Sequence, residues 1–512
     1  MSKIITLDKA KEKQLVGIVK SVDIIALTIG PRGGNVCLSN GDIVNDGKRI
    51  AEDIVLKDSI ENKGATKVRN LVRKISTDVG GGRTACAILY KELCQTGLNL
   101  LERGFNGNLI KKGMDLAVKD ITAELDKMAK PAKGYLEKVA TISTESEELG
   151  KIIADTIKKV GLDSVVTTEE SQSFGITSNI ADGLKFDRGY LSPYMVTDPE
   201  RLEAVYNDIG VLIYDGKISD FGQLKPLFDK LIKEGKKELF IIAEDIDESV
   251  LRVFAFAKFN GLFKAIAIKT PGVGDMKKFI MEDLEALTGA KVTKDLKKEI
   301  QLGFVKKVVS TKDYTTVFSM TDIKTWITTL KTRRELSENK WEQDQFNERI
   351  AKLQNGIAVI KVGASSQDEI KYLKLKIEDG VNETKRALEE GIILGGNVAF
   401  IHILSVPFKM CENKELALGY DIVRKAIEAP LRQIVENSNG SPDVVVNKIL
   451  QASGNLTMGY NSLDNTIIDD MYELGIIDAV KVVKAVLQYA VSEAGVFLSI
   501  GGDISEELVE PK

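Results

Sequence analysis

Residues 28–35 read Thr28-Ile29-Gly30-Pro31-Arg32-Gly33-Gly34-Asn35, and two more glycine-bearing turns follow, Asn45-Asp46-Gly47 and Asp78-Val79-Gly80-Gly81-Gly82-Arg83-Thr84. Glycine has no side chain, so it lets backbone N–H groups approach a phosphate closely, and a helix N-terminus beside the turn adds partial positive charge. Helical stretches flank these turns, and the second turn carries an aspartate. The pattern indicates a phosphate-binding site. The string Gly-x-x-x-x-Gly-Lys-Ser/Thr does not occur, which disfavours a P-loop nucleotidase.

The composition limits the class of protein. A chain of 512 residues is too long for one core, so two or three domains are expected. The formal net charge is −4 and no strong basic field stands out, so we expect no nucleic-acid partner. No apolar run reaches membrane-spanning length, and the N-terminus lacks a secretory or transit pattern. We therefore expect a cytoplasmic protein with no membrane partner.

Cysteine and histidine usage limits the chemistry. The four cysteines show no paired metal-ligand spacing, and free, mostly buried thiols are expected at Cys37, Cys86, Cys94 and Cys411. The single histidine, His402, lies in an apolar run and is interpreted as a core or edge residue. Histidine triads and His-rich metal sites are thereby disfavoured, and no metal ligand is assigned.

The hydrophobic pattern changes twice along the chain. Residues from about 8 to 125 read as amphipathic helices. In the helix predicted after Thr84 the apolar face consists of Cys86, Leu89, Tyr90 and Leu93, at i, i+3, i+4 and i+7, and Leu100 continues it. A Pro- and Gly-containing segment, 128–134, interrupts this pattern. From Gly183 short apolar runs alternate with helices, which predicts an α/β domain with a largely parallel, buried sheet. These runs are Val211-Leu212-Ile213-Tyr214, Leu239-Phe240-Ile241-Ile242-Ala243 and Ala265-Ile266-Ala267-Ile268.

Long charged helices return from about residue 334. Helix, then α/β, then helix again suggests that the central domain is inserted into a discontinuous helical one. The later helical part contains Gly395-Gly396, which on its own means little. Asp46, Asp379 and Asp478 are each, taken singly, interpretable as surface or capping carboxylates. Together with the glycine turns they follow a pattern that extends over the whole chain.

Strings along nearly the entire chain match one protein family. They include Glu61-Asn62-Lys63-Gly64-Ala65, Phe186-Asp187-Arg188-Gly189-Tyr190-Leu191-Ser192-Pro193-Tyr194, Pro271-Gly272-Val273-Gly274-Asp275, Ala429-Pro430-Leu431-Arg432-Gln433-Ile434-Val435 and Leu487-Gln488-Tyr489-Ala490. In these strings and in its three turns the chain resembles the group I chaperonins, the GroEL-like family of protein-folding rings. The third turn makes it a divergent member.

The resemblance implies a multidomain α+β fold. A mostly helical, discontinuous equatorial nucleotide-binding domain would comprise 1–127 and 390–512. A small α/β intermediate hinge domain would comprise 128–182 and 364–389, and an inserted α/β apical substrate-binding domain 183–363. Two glycines match the family's hinge positions, Gly183 and Gly363.

The resemblance also implies an ATP site. The phosphates would contact Thr28, Ile29, Gly30 and Pro31, and Asp46 would lie near the γ-phosphate. Asp379 matches the carboxylate that orients the attacking water, because hydrolysis requires an in-line water beside a neutralised triphosphate. Asp46 and Asp379 are therefore the catalytic candidates. On the base and sugar side the matching residues are Gly395, Gly396, Asn461 and Asp478.

The third turn departs from the family pattern Gly-Asp-Gly-Thr-Thr-Thr. Here Gly81 replaces the Mg²⁺-binding aspartate, Arg83 replaces the first threonine and Ala85 the third, while Gly82 and Thr84 are retained. Loss of an oxygen ligand predicts weaker Mg²⁺ binding. Arg83 either supplies fixed positive charge to the phosphates or points to solvent from the helix start. Nucleotide binding is expected, with weak hydrolysis.

Two apolar helices of the central domain predict a surface for unfolded clients. Leu224, Leu227, Phe228, Leu231 and Ile232 follow helical spacing, which is more often a core stripe, and residues 250–259 are apolar on all sides. Lys225 makes the first helix locally more polar than the family prefers. The positions that match the family's substrate-facing residues are Tyr190, Tyr194, Met195, Phe228, Leu251, Ala255 and Phe256.

Three functions are compared. The first is a heptameric ring chaperonin for unfolded protein clients, driven by ATP, with a possible GroES-like co-chaperonin. The second is a holdase ring with little turnover, which the altered third turn favours. The third, a metabolic nucleotide-binding enzyme with an inserted domain, lacks the expected histidine constellation. Single or easily separated rings are expected, because the family's ring–ring charge pairs are broken. Arg432 keeps one basic partner, but Ser441 occupies its acidic position, and a second pair is replaced by Asn99 and Lys414.

Overall fold

The structure is a computed structural model that describes residues 2–5, 7–161, 164–171, 173–199, 202–272, 274–298, 300–407, 413–452, 454–501 and 503–506. The helices within these ranges are α1 (Leu7–Ala26), α2 (Gly47–Asp53), α3 (Ser59–Asp78), α4 (Arg83–Glu102), α5 (Gly107–Met128), α6 (Leu136–Thr144), α7 (Glu147–Val160), α8 (Lys225–Lys233), α9 (Glu248–Phe259), α10 (Asp275–Thr288), α11 (Lys324–Leu336), α12 (Lys340–Asn355), α13 (Gln367–Glu390), α14 (Val398–Leu404), α15 (Lys414–Ala426), α16 (Ala429–Asn437), α17 (Pro442–Gln451), α18 (Met471–Leu474) and α19 (Val480–Leu498).

The strands in the same ranges are mostly short. They are β1 (Ser2–Ile5), β2 (Val36–Cys37), β3 (Ile43–Val44), β4 (Val165–Glu170), β5 (Gly175–Ala181), β6 (Gly183–Phe186), β7 (Ala204–Ile218), β8 (Glu238–Ile246), β9 (Lys264–Lys269), β10 (Gly303–Ser310), β11 (Thr315–Ser319), β12 (Ile357–Gly363), β13 (Ile392–Leu394), β14 (Gly459–Asn461), β15 (Thr466–Ile468), β16 (Ile477–Ala479) and β17 (Asp503–Glu506).

The chain divides into two compact units, Met1–Asp155 with Ser365–Lys512, and Thr156–Ala364. The second unit is therefore inserted into the first, as the change of pattern along the sequence suggests. The fold is multidomain α+β. The three-domain division, with its separate hinge domain, stays a prediction.

The first unit is built on long helices around one apolar core. Helix α3 begins after Asp58, whose carboxylate accepts the backbone N–H groups of Ile60 and Glu61. A capping carboxylate satisfies donors that have no partner inside the helix. A Cβ atom at Gly64 would lie 2.0 Å from the backbone carbonyl oxygen of Gln14 in α1. Helices α1 and α3 can therefore pack this closely only because residue 64 is glycine.

Helix α4 lies in the centre of this core. The predicted apolar face, Cys86, Leu89, Tyr90, Leu93 and Leu100, is buried. The predicted interruption at 128–134 is confirmed, because α5 ends at Met128. In the antiparallel pair β13–β16, Asp478 lies opposite Ile393. Since β13 ends at Leu394, this pairing places Asp478 next to the Gly395-Gly396 turn.

The second unit contains a six-stranded sheet in the order β6-β11-β10-β7-β8-β9. The three predicted apolar runs lie in β7, β8 and β9, and these strands are parallel. Strands β10, β11 and β6 continue the sheet in antiparallel fashion. The prediction of a largely parallel sheet is therefore corrected to a mixed sheet. The antiparallel half was missed because its strands, such as β11, lack a long apolar run.

A second sheet of this unit has the order β4-β12-β5. The two glycines matched to hinge positions, Gly183 and Gly363, lie at the start of β6 and the end of β12. A Cβ atom at Gly183 would lie 2.4 Å from the carbonyl oxygen of Val317, and one at Gly363 would lie 1.8 Å from that of Ser173. Close backbone contact therefore accounts for both glycines in this conformation, and their hinge role stays a prediction.

The interpretation of His402 as a core residue is confirmed. Its ring is buried and its Nε2 lies 2.8 Å from the backbone carbonyl oxygen of Met458. Burial lowers the pKa of His402. Cys86 and Cys94 are buried free thiols and Cys37 is exposed, whereas Cys411 lies outside the described residues. Of the helices in the described ranges, none has the length and apolar character needed to cross a bilayer.

Candidate functional site

Asp46 joins the second and third turns of the first unit. Its Oδ1 accepts the backbone N–H of Arg49 at 2.8 Å and thereby caps α2. Its Oδ2 lies 3.2 Å from Nη2 of Arg83. The third turn also packs its side chains against the second, since a Cβ atom at Gly47 would lie 2.9 Å from Oγ1 of Thr84. Asp46 is therefore both a capping carboxylate and a member of a charged cluster.

The third turn places Arg83 in this cluster. Gly82 has a φ of 72°, a left-handed conformation that favours glycine, and α4 starts at the next residue. The Arg83 side chain is only 17% exposed, and its Nη2 lies 2.6 Å from Oδ2 of Asp379. Its Nη1 approaches Oγ of Ser76 at 3.5 Å. The alternative in which Arg83 points to solvent is wrong.

The guanidinium of Arg83 thus lies between the two catalytic candidates, Asp46 and Asp379. Burial lowers the pKa of Arg83, but the carboxylates of Asp379 and Asp46 outweigh this effect, and the pKa lies above its ordinary value. Burial raises the pKa of Asp379, although the neighbouring charge of Arg83 opposes the rise. Arg83 is therefore a permanent cation that shares its hydrogen bonds between two carboxylates.

Glu383 is a member of the cluster that the sequence reasoning missed. A Cβ atom at Gly81 would lie 2.4 Å from Oε2 of Glu383, so this carboxylate fills the space beside residue 81. Its Oε1 accepts the backbone N–H of Ala479 at 3.1 Å. Burial, followed by the charge of Asp478, raises the pKa of Glu383 to about 8. The available signal was its position four residues after Asp379, on the same face of α13.

We call Asp46, Arg83, Asp379 and Glu383 the Arg83 cluster. Asp478 lies beside it, at the Gly395-Gly396 turn. Burial raises the pKa of Asp478 to about 6, against the opposing effect of hydrogen bonds from the backbone N–H groups of Gly396 and Asn397. The structure therefore brings together Asp46, Gly81, Gly82, Arg83, Thr84, Asp379, Gly395, Gly396 and Asp478.

The first turn, with Thr28, Ile29, Gly30 and Pro31, is anchored by other contacts. The amide Nδ2 of Asn437 in α16 donates to the carbonyl oxygens of Ala26 and Ile29, both at 2.9 Å. Asn437 carried no motif signal and was missed. Arg32 donates to the carbonyl oxygen of Leu463, which ties this turn to the β14–β15 hairpin.

Asn461, the expected base contact, lies in that hairpin. Its Oδ1 accepts the backbone N–H of Leu463 at 3.0 Å, and its Nδ2 donates to Asp464 at 2.9 Å. In this conformation the Asn461 amide therefore supports the hairpin turn. Its contact with a nucleotide base stays a prediction.

The side chains present do not fit a divalent cation. At a nucleotide site Mg²⁺ is held by one or two free carboxylates together with the phosphates. Gly81 offers no side-chain oxygen, and the guanidinium of Arg83 takes the facing oxygens of Asp46 and Asp379. Metal ligands therefore stay unassigned.

In the second unit, the structure separates the predicted substrate-facing residues. Phe228 is 3% exposed and its ring packs against Phe254 and Phe263, with ring centroids 5.9 Å and 4.1 Å away. Met195 is also buried. The expectation that Phe228 and Met195 face clients is corrected, because both fill the core beneath α8 and α9. Three residues are half-buried against this unit, Tyr190, Leu251 and Ala255.

The outer face of α9 is different. Phe256 and Phe259 are 66% and 78% exposed, whereas Val250, Phe254 and Ala257 on the other face are buried. The Tyr194 and Phe259 rings meet edge-to-face with centroids 6.1 Å apart. Nζ of Lys258 donates to the carbonyl oxygens of Tyr194 and Val196 at 2.9 Å and 2.6 Å, which holds this segment against α9. We call the exposed residues Tyr194, Phe256, Phe259 and Leu262 the aromatic edge.

The comparison with known families agrees with this organisation. A model of the TCP-1/cpn60 chaperonin family matches residues 22–506. The match covers almost the entire chain and includes both units. The chain belongs to the TCP-1/cpn60 chaperonin family.

Proposed function

We propose that this chain is a subunit of a group I type ring chaperonin that captures non-native proteins on the aromatic edge and responds to ATP. Family membership supports a chaperonin role. The observation that carries the proposal is the exposure of Phe256 and Phe259 beside Tyr194. A cluster of exposed aromatic side chains binds many unfolded chains, because burial of apolar area is non-directional.

The proposed assembly is a heptameric ring of identical subunits in the cytoplasm, with unfolded protein clients and a GroES-like co-chaperonin as partners. This part rests on the resemblance to group I chaperonins. The proposed nucleotide is ATP, bound between the first turn, the Arg83 cluster and the Gly395-Gly396 turn. The proposed catalytic carboxylates are Asp46 and Asp379.

A holdase ring with little turnover is the second candidate. The observation that favours it is the 2.6 Å contact between Arg83 and Asp379, the carboxylate proposed to orient water. The guanidinium engages Oδ2 of this carboxylate and lowers its basicity, which weakens its hold on an attacking water. Turnover is then limited by how often this contact opens.

Dilution of a denatured, aggregation-prone protein into the purified ring tests the function, with aggregation followed by light scattering. The Phe256→Ser/Phe259→Ser variant is expected to bind the client about tenfold or more weakly, since each buried phenylalanine contributes roughly 1.5–3 kcal/mol. Phe174→Ser is the matched control, because Phe174 belongs to the same unit and is 80% exposed but lies outside the aromatic edge.

Equal protection by the double variant and the wild type would contradict client capture on the aromatic edge. The rate at which the loaded ring hydrolyses ATP then separates the two candidates. Steady hydrolysis with release of the client supports the ATP-driven chaperonin, and negligible hydrolysis supports the holdase.

A further inference from the structure

Arg83 lies where two carboxylates of the proposed ATP site converge. Its Nη2 contacts Asp379 at 2.6 Å and Asp46 at 3.2 Å, and its side chain is largely shielded from solvent. These are the two carboxylates proposed to lie near the γ-phosphate and the attacking water. A protein side chain therefore already places a positive charge at the point where a bound triphosphate needs one.

Residues 81 and 383 complete this arrangement. Gly81 carries no carboxylate, and the space beside it holds Oε2 of Glu383, 2.4 Å from where a Cβ atom would be. No side chain can be added at residue 81 unless Glu383 moves. Glu383 also lies close enough to Arg83 for its ionised form to raise the pKa of Arg83. One helix, α13, thus supplies both Asp379 and Glu383 to the surroundings of one guanidinium.

We infer that the guanidinium of Arg83 takes the place of a divalent cation at the nucleotide site, so that this chain binds ATP without metal. The inference rests on the proposed nucleotide binding. A guanidinium has five donors in a planar fork that matches phosphate oxygens, and its charge is independent of pH. The oxygens of Asp46 and Asp379 that face this point, which a divalent cation would need as ligands, already accept hydrogen bonds from Arg83.

The same geometry links phosphate binding to α13. Nη2 of Arg83 contacts Asp379 and Asp46, so a phosphate oxygen that accepts from Nη2 competes with Asp379 for this nitrogen. ATP bound through Nη2 therefore loosens the contact with Asp379, which in the absence of nucleotide joins α13 to the third turn. Arg83 acts as a binding residue for the phosphates and as a positioning residue for Asp379.

Isothermal titration calorimetry of the wild-type protein with ATP tests the inference, once in excess EDTA and once in excess Mg²⁺. The dissociation constant in EDTA is expected to be smaller than the one in Mg²⁺, or at most about threefold larger, because excess Mg²⁺ converts free ATP into its metal complex and the site takes up ATP without the metal. Binding in Mg²⁺ that becomes tenfold or more weaker in EDTA would overturn the inference and leave the proposed function in place. Failure to bind ATP under both conditions would overturn ATP binding itself, and with it this inference.

Variants sharpen the result. Arg83→Met is expected to weaken ATP binding in EDTA by about tenfold to a hundredfold, since a hydrogen bond to a charged group is lost. Arg83→Lys keeps the charge without the planar fork and is expected to fall between Arg83→Met and the wild type. Arg73→Met is the matched control, because Arg73 lies on α3 outside the cluster and forms an exposed ion pair with Glu52.

The variant Gly81→Asp/Arg83→Thr/Glu383→Ala introduces oxygen ligands for a metal at residues 81 and 83 and makes room for them at residue 383. Its ATP affinity is expected to become dependent on Mg²⁺, with at least about tenfold weaker binding in EDTA. Far-ultraviolet circular dichroism checks that each variant is folded. If Arg83→Met does not fold, the comparison of EDTA and Mg²⁺ on the wild type still decides the inference. Unchanged affinity of folded Arg83→Met in EDTA would also overturn it.

Discussion

The Arg83 cluster and the aromatic edge differ in whether their side chains have partners within the chain. In the cluster, each of two carboxylates is paired with the same guanidinium within the chain. In the aromatic edge, Phe256 and Phe259 have large exposed rings, although the same helix buries Phe254. A buried charge without a partner is costly, whereas an exposed ring is tolerated and gains free energy when a partner covers it. The cluster is therefore suited to exchanging one charged partner for another, and the aromatic edge is suited to binding a partner from outside the chain.

The largest expected effect separates the two faces of the proposed client-binding region. Phe228→Ala is expected to destabilise the second unit by about 3–5 kcal/mol, because it leaves a cavity among packed rings. Phe256→Ala is expected to change stability by no more than about 0.5 kcal/mol, since the ring is mostly exposed. Both tryptophans, Trp326 and Trp341, lie in this unit, so urea unfolding followed by their fluorescence reports on it.

Equal destabilisation by the two variants would contradict the burial difference on which the aromatic edge is defined. Leu262→Ala serves as a further control, because Leu262 is also exposed at the aromatic edge. Its stability is expected to match that of Phe256→Ala.

A smaller effect tests the charge balance of the Arg83 cluster. The pKa of Glu383 is about 8 in the folded protein and 4.5 for an ordinary glutamate. Between these values the folded state holds a proton that the unfolded state has lost, so the free energy of unfolding decreases as the pH rises from about 4.5 to about 8. The Glu383→Gln variant is expected to lose this contribution, on the order of a few kcal/mol over the window.

Urea unfolding midpoints, followed by circular dichroism between about pH 5 and pH 9, measure the difference between the two proteins. Asp478, with a pKa of about 6, contributes in the same direction at lower pH, but it is present in both proteins. An identical pH dependence of Glu383→Gln and wild type would show that Glu383 is already charged at neutral pH.

The smallest effect extends the comparison to the proposed contact between rings. Arg432 already binds Asp443 at 2.7 Å and Glu428 at 2.8 Å within its own chain. An exposed ion pair contributes about 0–1 kcal/mol, so little is gained if Arg432 exchanges these partners for another ring. Sedimentation velocity is expected to show single rings of about seven subunits. A particle of about fourteen subunits that persists through dilution and moderate salt would contradict this.

Local pattern was enough for the elements whose faces follow one period. The apolar face of α4 and the runs in β7, β8 and β9 were predicted correctly, since burial of one face repeats at the spacing of the element. The antiparallel half of the large sheet was not predicted. Its short strands carry mixed residues, and their pairing depends on contacts distant in sequence.

Residue patterns alone were sufficient to predict the family, the insertion of one unit into the other, and which residues form the third turn. The positions of those side chains depend on the folded chain. Arg83 turns inward because Asp46 and Asp379, far apart in the chain, offer it two carboxylates at hydrogen-bonding distance. Phe228 is buried and Phe256 exposed because packing beneath α8 and α9 covers one ring and leaves the other outside. Both outcomes depend on long-range contacts, which residue type and spacing do not contain.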